Sequence, residues 1–169
     1  RREKYDLRVT AYGTVDELNA CIGMARLHTD GMVELDAMLG AIQNDLFDLG
    51  ADLATLEAAE KPAVEPLRIV PAQVKRLERD IDLLNENLEP LRSFVLPGGS
   101  PAAAGLHLAR TVARRAERLV VELSRRPGEA VGADAIRYVN RLSDFLFVAA
   151  RAANDNGARD VLWVPGKNR

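Results

Sequence analysis

The stretch from Pro101 to about Arg125 constrains the fold most, because its spacing is helical and its charges gather on one side. Ser100 followed by Pro101 is typical of a helix start, with the serine as N-cap and the proline at the first helical position. Pro127-Gly128 closes the helix. Each residue of a helix advances by about 100°, so four polar residues share one stripe, with Arg118 at its edge. These residues are His107, Arg110, Arg114 and Glu117.

A solvated helix face is the plain interpretation of such a basic stripe. Two features favour an anion site instead. Glu117 lies three residues after Arg114 and seven after Arg110, a spacing that can hold guanidinium groups in fixed directions. The Gly98-Gly99 turn just upstream leaves backbone free to approach a ligand. Because the planar fork of arginine suits phosphate oxygens, we interpret the stripe as a polyphosphate site.

Apolar residues at helical spacing predict four further helices. Thr14 and Glu17 form a capping-box pattern, which predicts a first helix from Thr14 to about His28. The residues before it, 1–12, are expected to be irregular, with Arg1, Lys4 and Arg8 presenting positive charge. The remaining helices are predicted over about 33–56, from Pro71 to near Pro90, and from Gly132 or Ala133 to Asn156.

The connections complete the predicted architecture. Residues 57–70 contain prolines and are expected to form a loop, and residues 161–165 an extended apolar tail that packs over the bundle. No alternation is strong enough for a sheet. The chain is therefore predicted to be all-α, a five-helix antiparallel bundle in a single domain over residues 1–169.

The last predicted helix also carries a polar stripe. Asn140, Asp144, Phe147 and Arg151 follow one another at spacings of four, three and four. An ordinary exposed face explains the asparagine and the aspartate equally well. Together with the arginine stripe, however, this stripe could line one cleft. Asp16 also has two interpretations, a favourable place in the first turn of its helix and a salt bridge to another element.

Composition and motifs exclude several classes of function. Lys+Arg 23 against Asp+Glu 25 gives a net charge of −2, without the basic excess of nucleic-acid binders. The single cysteine, Cys21, precludes an internal disulfide and fits the cytoplasm, where we expect the protein. No apolar run approaches the ~20 residues of a membrane span, and no signal peptide is visible.

Familiar catalytic groups are also missing from the sequence. There is no P-loop, and neither His28 nor His107 completes the Glu-x-x-His pattern of di-iron bundles. Cys21 is expected to pack among apolar neighbours, and His107 to be partly buried with its hydrogen bonds satisfied. No nucleophile with an adjacent base is recognisable. An enzyme built from this chain would rely on positioning and charge.

Four segments resemble the ATP:cob(I)alamin adenosyltransferase family of the propanediol-utilisation type. They are residues 8–19, 94–100, 110–118 and 138–147, in the family's order and spacing, and the resemblance extends from Arg1 to Trp163. It implies a five-helix bundle of ferritin-like architecture. It also implies a homotrimer whose active sites lie between neighbouring subunits.

The resemblance further implies a reaction. The family transfers the 5′-deoxyadenosyl group of ATP to the cobalt of a reduced corrinoid, cob(I)alamin, and releases triphosphate. Cobalt(I) is itself the nucleophile, so the protein supplies geometry and cations instead of a general base. Mg2+ is expected because it usually accompanies ATP. A reductase and an adenosylcobalamin-dependent mutase are candidate partners, whereas nucleic acid and membranes are not.

Roles for individual residues follow from the same resemblance. Lys4 matches a phosphate-contacting lysine and Arg1 the arginine before it. Arg110 matches an arginine that borders the nucleotide and pairs across the subunit interface with the aspartate at Asp16. Phe94 matches the aromatic residue that occupies the lower face of cobalt, where it displaces the corrinoid's own base. ATP is implied to be held by Arg114, Glu117, Arg118 and Asn140, and the corrinoid to lie near Asp144 and Phe147.

One departure from the family bears on activity. Its glycine-rich phosphate loop, with Thr-Gly-Asp and Gly-Thr-Thr segments, would precede Arg1 and is absent from these 169 residues. A protein without that loop would be a weaker binder of triphosphate. The alternative hypothesis is therefore a non-catalytic carrier or sensor of corrinoid and ATP with the same fold. A helical scaffold with basic faces is the third.

Overall fold

The structure is a computed structural model that describes residues 2–56 and 65–169. Its described part contains five helices and two short strands. The helices are α1 (Leu7–Arg26), α2 (Val33–Ala54), α3 (Pro71–Asn85), α4 (Pro101–Ser124) and α5 (Ala133–Ala152), and the strands are β1 (Val95–Leu96) and β2 (Val161–Leu162). All five predicted helices are present, so the all-α bundle is confirmed. Arg1 and residues 57–64 of the predicted loop lie outside the described residues.

The helices pack in a fixed order of neighbours. α1 lies between α2 and α4, and α5 lies between α4 and α3. Small residues allow close approach of α4 to its neighbours, since a Cβ atom on Gly105 would come within 3.0 Å of Ala25. Beside the arginine stripe, α4 carries a buried apolar stripe that contains Ala109, Ala113, Ala116, Val120 and Leu123. No described helix has the length and apolar character that crossing a membrane requires.

The start of α4 is confirmed, whereas the start of α1 was predicted wrongly. Ser100 caps α4, because its Oγ accepts a hydrogen bond of 3.1 Å from the Ala103 N–H. α1 begins at Leu7 instead of after Thr14, capped by Asp6, which accepts from the Arg8 N–H at 2.8 Å. Thr14 lies within the helix, where its hydroxyl donates to the Thr10 carbonyl at 2.8 Å. A Thr-x-x-Glu pattern also occurs inside helices, and here the earlier aspartate is the cap.

Because α1 begins earlier than predicted, the interpretations of Asp16 and Arg8 change. Asp16 lies in the third turn of α1, so the helix dipole does not explain it. Arg8 does not present its charge to solvent, because only 2% of the residue is exposed. Its guanidinium donates to the Glu129 carboxylate and to the carbonyl oxygens of Leu53 and Ala130, at 2.6 to 2.9 Å. Arg8 thereby joins α1 to the end of α2 and to the α4–α5 loop.

Replacing Arg8 with alanine should destabilise the bundle by about 2–4 kcal/mol, because the carbonyls of Leu53 and Ala130 lose their buried donor and Glu129 keeps only Arg2 as a partner. Urea unfolding followed by circular dichroism measures the change. Arg137→Ala is the control, since Arg137 forms only an exposed i,i+3 pair with Asp134 and should change stability by less than about 1 kcal/mol. Equal losses of unfolding free energy in the two variants would mean that the buried hydrogen bonds of Arg8 stabilise the bundle no more than an exposed ion pair does.

The end of α5 differs from the prediction, and the tail is extended as predicted but also forms a strand pair that was not predicted. α5 ends at Ala152, four residues early, because Asp155, Asn156 and Gly157 adopt positive φ angles. Arg151, in the last turn of α5, is buried and donates to Asp160 of the tail at 2.8 Å, so it lies outside both clefts described below. The tail forms β2, which pairs antiparallel with β1 so that Val95 lies opposite Leu162. Strands of two residues are too short to show alternation in a sequence.

Candidate active site

The polar stripes of α4 and α5 meet at Glu117. Arg114 Nη1 lies 2.5 Å from one carboxylate oxygen of Glu117, and Asn140 Nδ2 donates to the other at 2.8 Å. The predicted proximity of the two stripes is confirmed, as is the pairing of Glu117 with Arg114. Glu117 orients an arginine and an amide from two different helices.

A cleft of about 410 Å3 lies beside this contact, between α4 and α5. Arginine from α4 forms one wall, and the other wall is polar near Asp144 and apolar near Phe147. Asp144 accepts a hydrogen bond from Arg141 at 2.9 Å. The full lining consists of Arg110, Arg114, Ser143, Asp144, Phe147 and Val148. The two stripes therefore do line one cleft, as the spacing indicated.

A second cleft, of about 560 Å3, adjoins the first, because both are lined by Arg110 and Phe147. Its other wall is the segment from Leu91 to Val95. Within that segment Phe94 is 76% exposed, and it is one of several large apolar side chains at the surface of the described residues. The two clefts together, called the α4–α5 groove below, extend from the Arg114–Glu117 pair to this exposed ring.

Arg110 lies where the two clefts meet. Its Nε is buried without a hydrogen-bond partner, and no carboxylate pairs with its guanidinium within residues 2–56 and 65–169. Arg118 is exposed, one turn beyond Arg114, and likewise forms no ion pair in the described chain. The groove thus carries cationic groups available to an anion.

Two predicted site residues lie elsewhere in the single chain. Asp16 lines a separate cleft of about 350 Å3 between α1 and α2, with Tyr12, Asn19 and Phe47 among its neighbours. Lys4 is exposed before α1 and lines neither cleft of the α4–α5 groove. Arg1 is outside the described residues, so its predicted role is not addressed. One chain alone therefore assembles only part of the predicted set.

His107 corrects a prediction. It is 1% exposed, and neither ring nitrogen has a hydrogen-bond partner among the described residues, so it is neither partly buried nor satisfied. The ring lies edge-on to Phe147, with centroids 6.3 Å apart. Burial, followed by the nearby Arg110 charge, lowers the pKa of His107, against an opposing effect of Asp160. A neutral imidazole therefore lies directly behind the groove.

Because of His107, the free energy of unfolding should decrease as the pH is lowered. The pKa of His107 in the folded chain lies below the unfolded value of about 6.5, so acidification first protonates the unfolded chain and favours it. Between about pH 7.5 and about pH 5, the wild type should lose more unfolding free energy than His107→Leu. Urea denaturation at both pH values measures the difference. His28→Leu, at the exposed histidine, should behave as the wild type does; matching losses in all three proteins would contradict a buried neutral imidazole.

Several groove residues were not predicted. Ser143 lies three residues after Asn140 and donates to its carbonyl at 2.9 Å, so the stripe's spacing could have identified it. Leu91, Arg92 and Ser93 carried no signal, because they reach the groove only through the path of an irregular segment.

Gly99 was assigned to ligand approach, but its φ of 94° and its packing against Asn154, which a Cβ atom would overlap, give it a structural role. The pKa of the Cys21 thiol is raised chiefly by burial, in agreement with a packing role.

Comparison with known proteins assigns this arrangement to a family. The sequence pattern of the cobalamin adenosyltransferases matches residues 1–153. The chain belongs to the cobalamin adenosyltransferase family. The corrinoid adenosyltransferase of Mycobacterium tuberculosis strain H37Rv is 48% identical over 169 residues, which are 100% of this chain and 86% of that protein. The Bacillus subtilis corrinoid adenosyltransferase is 43% identical over 95% of this chain and 82% of its own length.

Solved adenosyltransferase structures share the fold. A phenylalanine-to-alanine variant of the PduO-type ATP:corrinoid adenosyltransferase from Lactobacillus reuteri, complexed with cobalamin and ATP, superposes with a TM-score of 0.84 at 40% identity. The match covers 96% of this chain and 88% of that one. An arginine-to-lysine variant of the same enzyme, complexed with ATP, also gives a TM-score of 0.84, at 39% identity over 96% and 90% of the two chains. The resemblance seen in the sequence, including its PduO type, is confirmed.

Proposed function

We propose that this chain transfers the 5′-deoxyadenosyl group of ATP to cob(I)alamin, with adenosylcobalamin and triphosphate as products. One observation carries the proposal: a groove joins the Arg114–Glu117–Asn140 contact at one end to the exposed ring of Phe94 at the other. A cationic end suits a polyphosphate, and an apolar end suits the face of a macrocycle. Membership of the cobalamin adenosyltransferase family supports both assignments.

The cationic end binds ATP. Arg114 is held by Glu117, so its remaining N–H groups keep a fixed direction toward phosphate oxygens, and Asn140 offers a carbonyl oxygen to the nucleotide. Arg118 and Arg110 add charge on either side along α4. Mg2+ accompanies the triphosphate, and phosphate oxygens and water supply most of its ligands.

The chemistry is a displacement at carbon. The electron pair of cobalt(I) forms the cobalt–carbon bond to C5′, while the C5′–O bond breaks and its electrons leave with triphosphate. No proton moves, so fixed cations near the leaving oxygens are what the site must provide. Holding cobalt, carbon and leaving oxygen in line removes much of the remaining barrier.

The apolar end holds the corrinoid. Phe94 occupies the lower face of cobalt in place of the corrinoid's own base, and Asp144 and Phe147 form the nearby polar and apolar walls. Removal of an axial ligand makes cobalt(II) easier to reduce to cobalt(I), because a donor ligand stabilises the more oxidised metal. The exposure of Phe94 supports this role, since no neighbouring core covers the ring.

A homotrimer completes the site. Arg110 and Asp16 have opposite charges, neither forms an ion pair in the described chain, and they lie in different clefts. A head-to-tail ring would bring the α1–α2 cleft of one subunit against the α4–α5 groove of the next, pair these two residues, and add Lys4 and Arg1 to the phosphate site. We place this trimer of single-domain subunits in the cytoplasm, supplied by a reductase and serving an adenosylcobalamin-dependent mutase.

Mixing full-length protein with ATP and cob(I)alamin under strong reduction tests the function. We expect a light-sensitive cobalt–carbon product with the absorption spectrum of adenosylcobalamin, together with one triphosphate per turnover. Failure to form any cobalt–carbon bond would reject the proposal. Binding of both substrates without product would identify the alternative, a non-catalytic carrier or sensor.

A further inference from the structure

We propose that Trp163, in the tail after the bundle, is a positioning residue that holds Phe94 in the orientation needed at the lower face of the corrinoid. This inference rests on the proposed function. Trp163 lies beyond residues 1–153, the part that matches the family pattern. It is also the single tryptophan of the chain.

Direct contacts join the two residues. Their rings pack edge to face, with centroids 5.8 Å apart and planes inclined by 63°. The backbone N–H of Trp163 donates to the Phe94 carbonyl at 2.8 Å, and the Ser93 hydroxyl donates to the Trp163 carbonyl at 2.7 Å. Side chain and backbone of Trp163 thus both act on the same short segment.

The tail that carries Trp163 is itself anchored to the bundle. Asp160 accepts hydrogen bonds from Arg151 at 2.8 Å and from Asn154 at 3.1 Å, and all three side chains are buried. Arg151 also donates to the Glu89 carbonyl, and Asn154 donates to the Gly98 carbonyl. These bonds fix both the tail and the residues on either side of Phe94. Trp163 therefore approaches Phe94 from a rigid support.

Phe94 needs such a support. With 76% of the residue exposed, its ring has few packing partners, and among the described rings only Trp163 pairs with it. A free ring samples several rotamers and must lose that freedom when the corrinoid binds. Edge-to-face packing against Trp163, outside the groove, restricts the Phe94 ring before the corrinoid binds. Binding therefore costs less conformational entropy.

Trp163→Ala should lower the fraction of bound cob(II)alamin that is four-coordinate, measured by electron paramagnetic resonance, by about three- to tenfold. Binding of ATP should be unchanged, because Trp163 lines neither cleft of the groove. Trp163→Phe keeps an aromatic edge and should recover most of the signal, whereas Trp163→Leu should not. Val164→Ala, at the exposed neighbour in the tail, is the control and should match the wild type.

A double-mutant cycle separates positioning from a general structural effect. If Trp163 acts through Phe94, the double variant Phe94→Ala/Trp163→Ala should be no worse than Phe94→Ala alone. Additive losses, or an unchanged spectrum in Trp163→Ala, would overturn the inference. Thermal unfolding verifies that each variant keeps its helices. If Trp163→Ala is unstable, comparison of Trp163→Phe with Trp163→Leu still shows whether an aromatic side chain is needed at this position. Absence of adenosylcobalamin with the wild type would instead reject the proposed function.

Discussion

Arg114→Ala should lower kcat/KM for adenosylcobalamin formation by about 10²–10³-fold, the effect of removing one preorganised donor from a developing negative charge. Arg114 is fixed by Glu117 beside the α4–α5 groove, so its contribution does not depend on rearrangement during the reaction. Because the arginine is half exposed and outside the core, the bundle should unfold at the same urea concentration as the wild type. Steady-state kinetics with strongly reduced cobalamin measures the effect.

Two variants sharpen the interpretation of Arg114. Arg114→Lys keeps the charge but loses the planar fork, so it should recover only part of the activity. Arg126→Ala removes an arginine that pairs with Glu122 just after α4, where both side chains are more than half exposed, and should leave kinetics unchanged. If Arg114→Ala were as active as Arg126→Ala, the arginine stripe would merely face solvent.

Phe94→Ala should reduce the four-coordinate fraction of bound cob(II)alamin by about 10- to 100-fold, since the corrinoid would no longer bury a phenylalanine side chain at its lower face. Electron paramagnetic resonance of the ternary complex with ATP distinguishes four-coordinate from five-coordinate cobalt. Turnover should fall steeply with a weak reductant. It should fall less when a strong reductant supplies free cob(I)alamin, because the axial ligand matters for the reduction step.

The matched control for Phe94 is Val33→Ala, at an equally exposed apolar position where α2 begins. Its spectrum and kinetics should be those of the wild type. An unaltered spectrum in Phe94→Ala would remove this residue from the mechanism.

Local signals in the sequence were sufficient to predict the bundle and the shared groove. Ser100 and Pro101 specify the start of α4 through interactions within one turn, and helix geometry places Arg114 with Glu117 on one stripe of α4 and Asn140 on a stripe of α5. The family resemblance then supplied roles that no spacing could, such as that of Phe94. These predictions needed only periodicity, caps and motif order.

The failed predictions for Arg8 and His107 depend on contacts between segments distant in the chain, whereas the missed start of α1 and end of α5 follow from local features, the Asp6 cap and the positive φ angles of residues 155–157. The sequence indicates an exposed charge at Arg8, whereas in the structure Glu129 and two carbonyls from other elements surround it. His107 falls on the polar stripe of a helical wheel, but the packing of α5 against α4 buries it beneath Phe147. Trp163 approaches Phe94 through a strand pair of two residues, which leaves no periodic trace in the sequence.

A crystal structure of the protein with ATP tests the central claim most directly, namely that α4 and α5 turn their charged stripes toward a nucleotide. The proposal predicts triphosphate density against Arg114 and Arg118, with the adenosine near Asn140 and C5′ directed toward the cleft beside Phe94. Lys4 and Asp16 of an adjacent subunit should complete the site. Nucleotide bound elsewhere, with Arg114 open to bulk solvent in the assembled oligomer, would contradict the account.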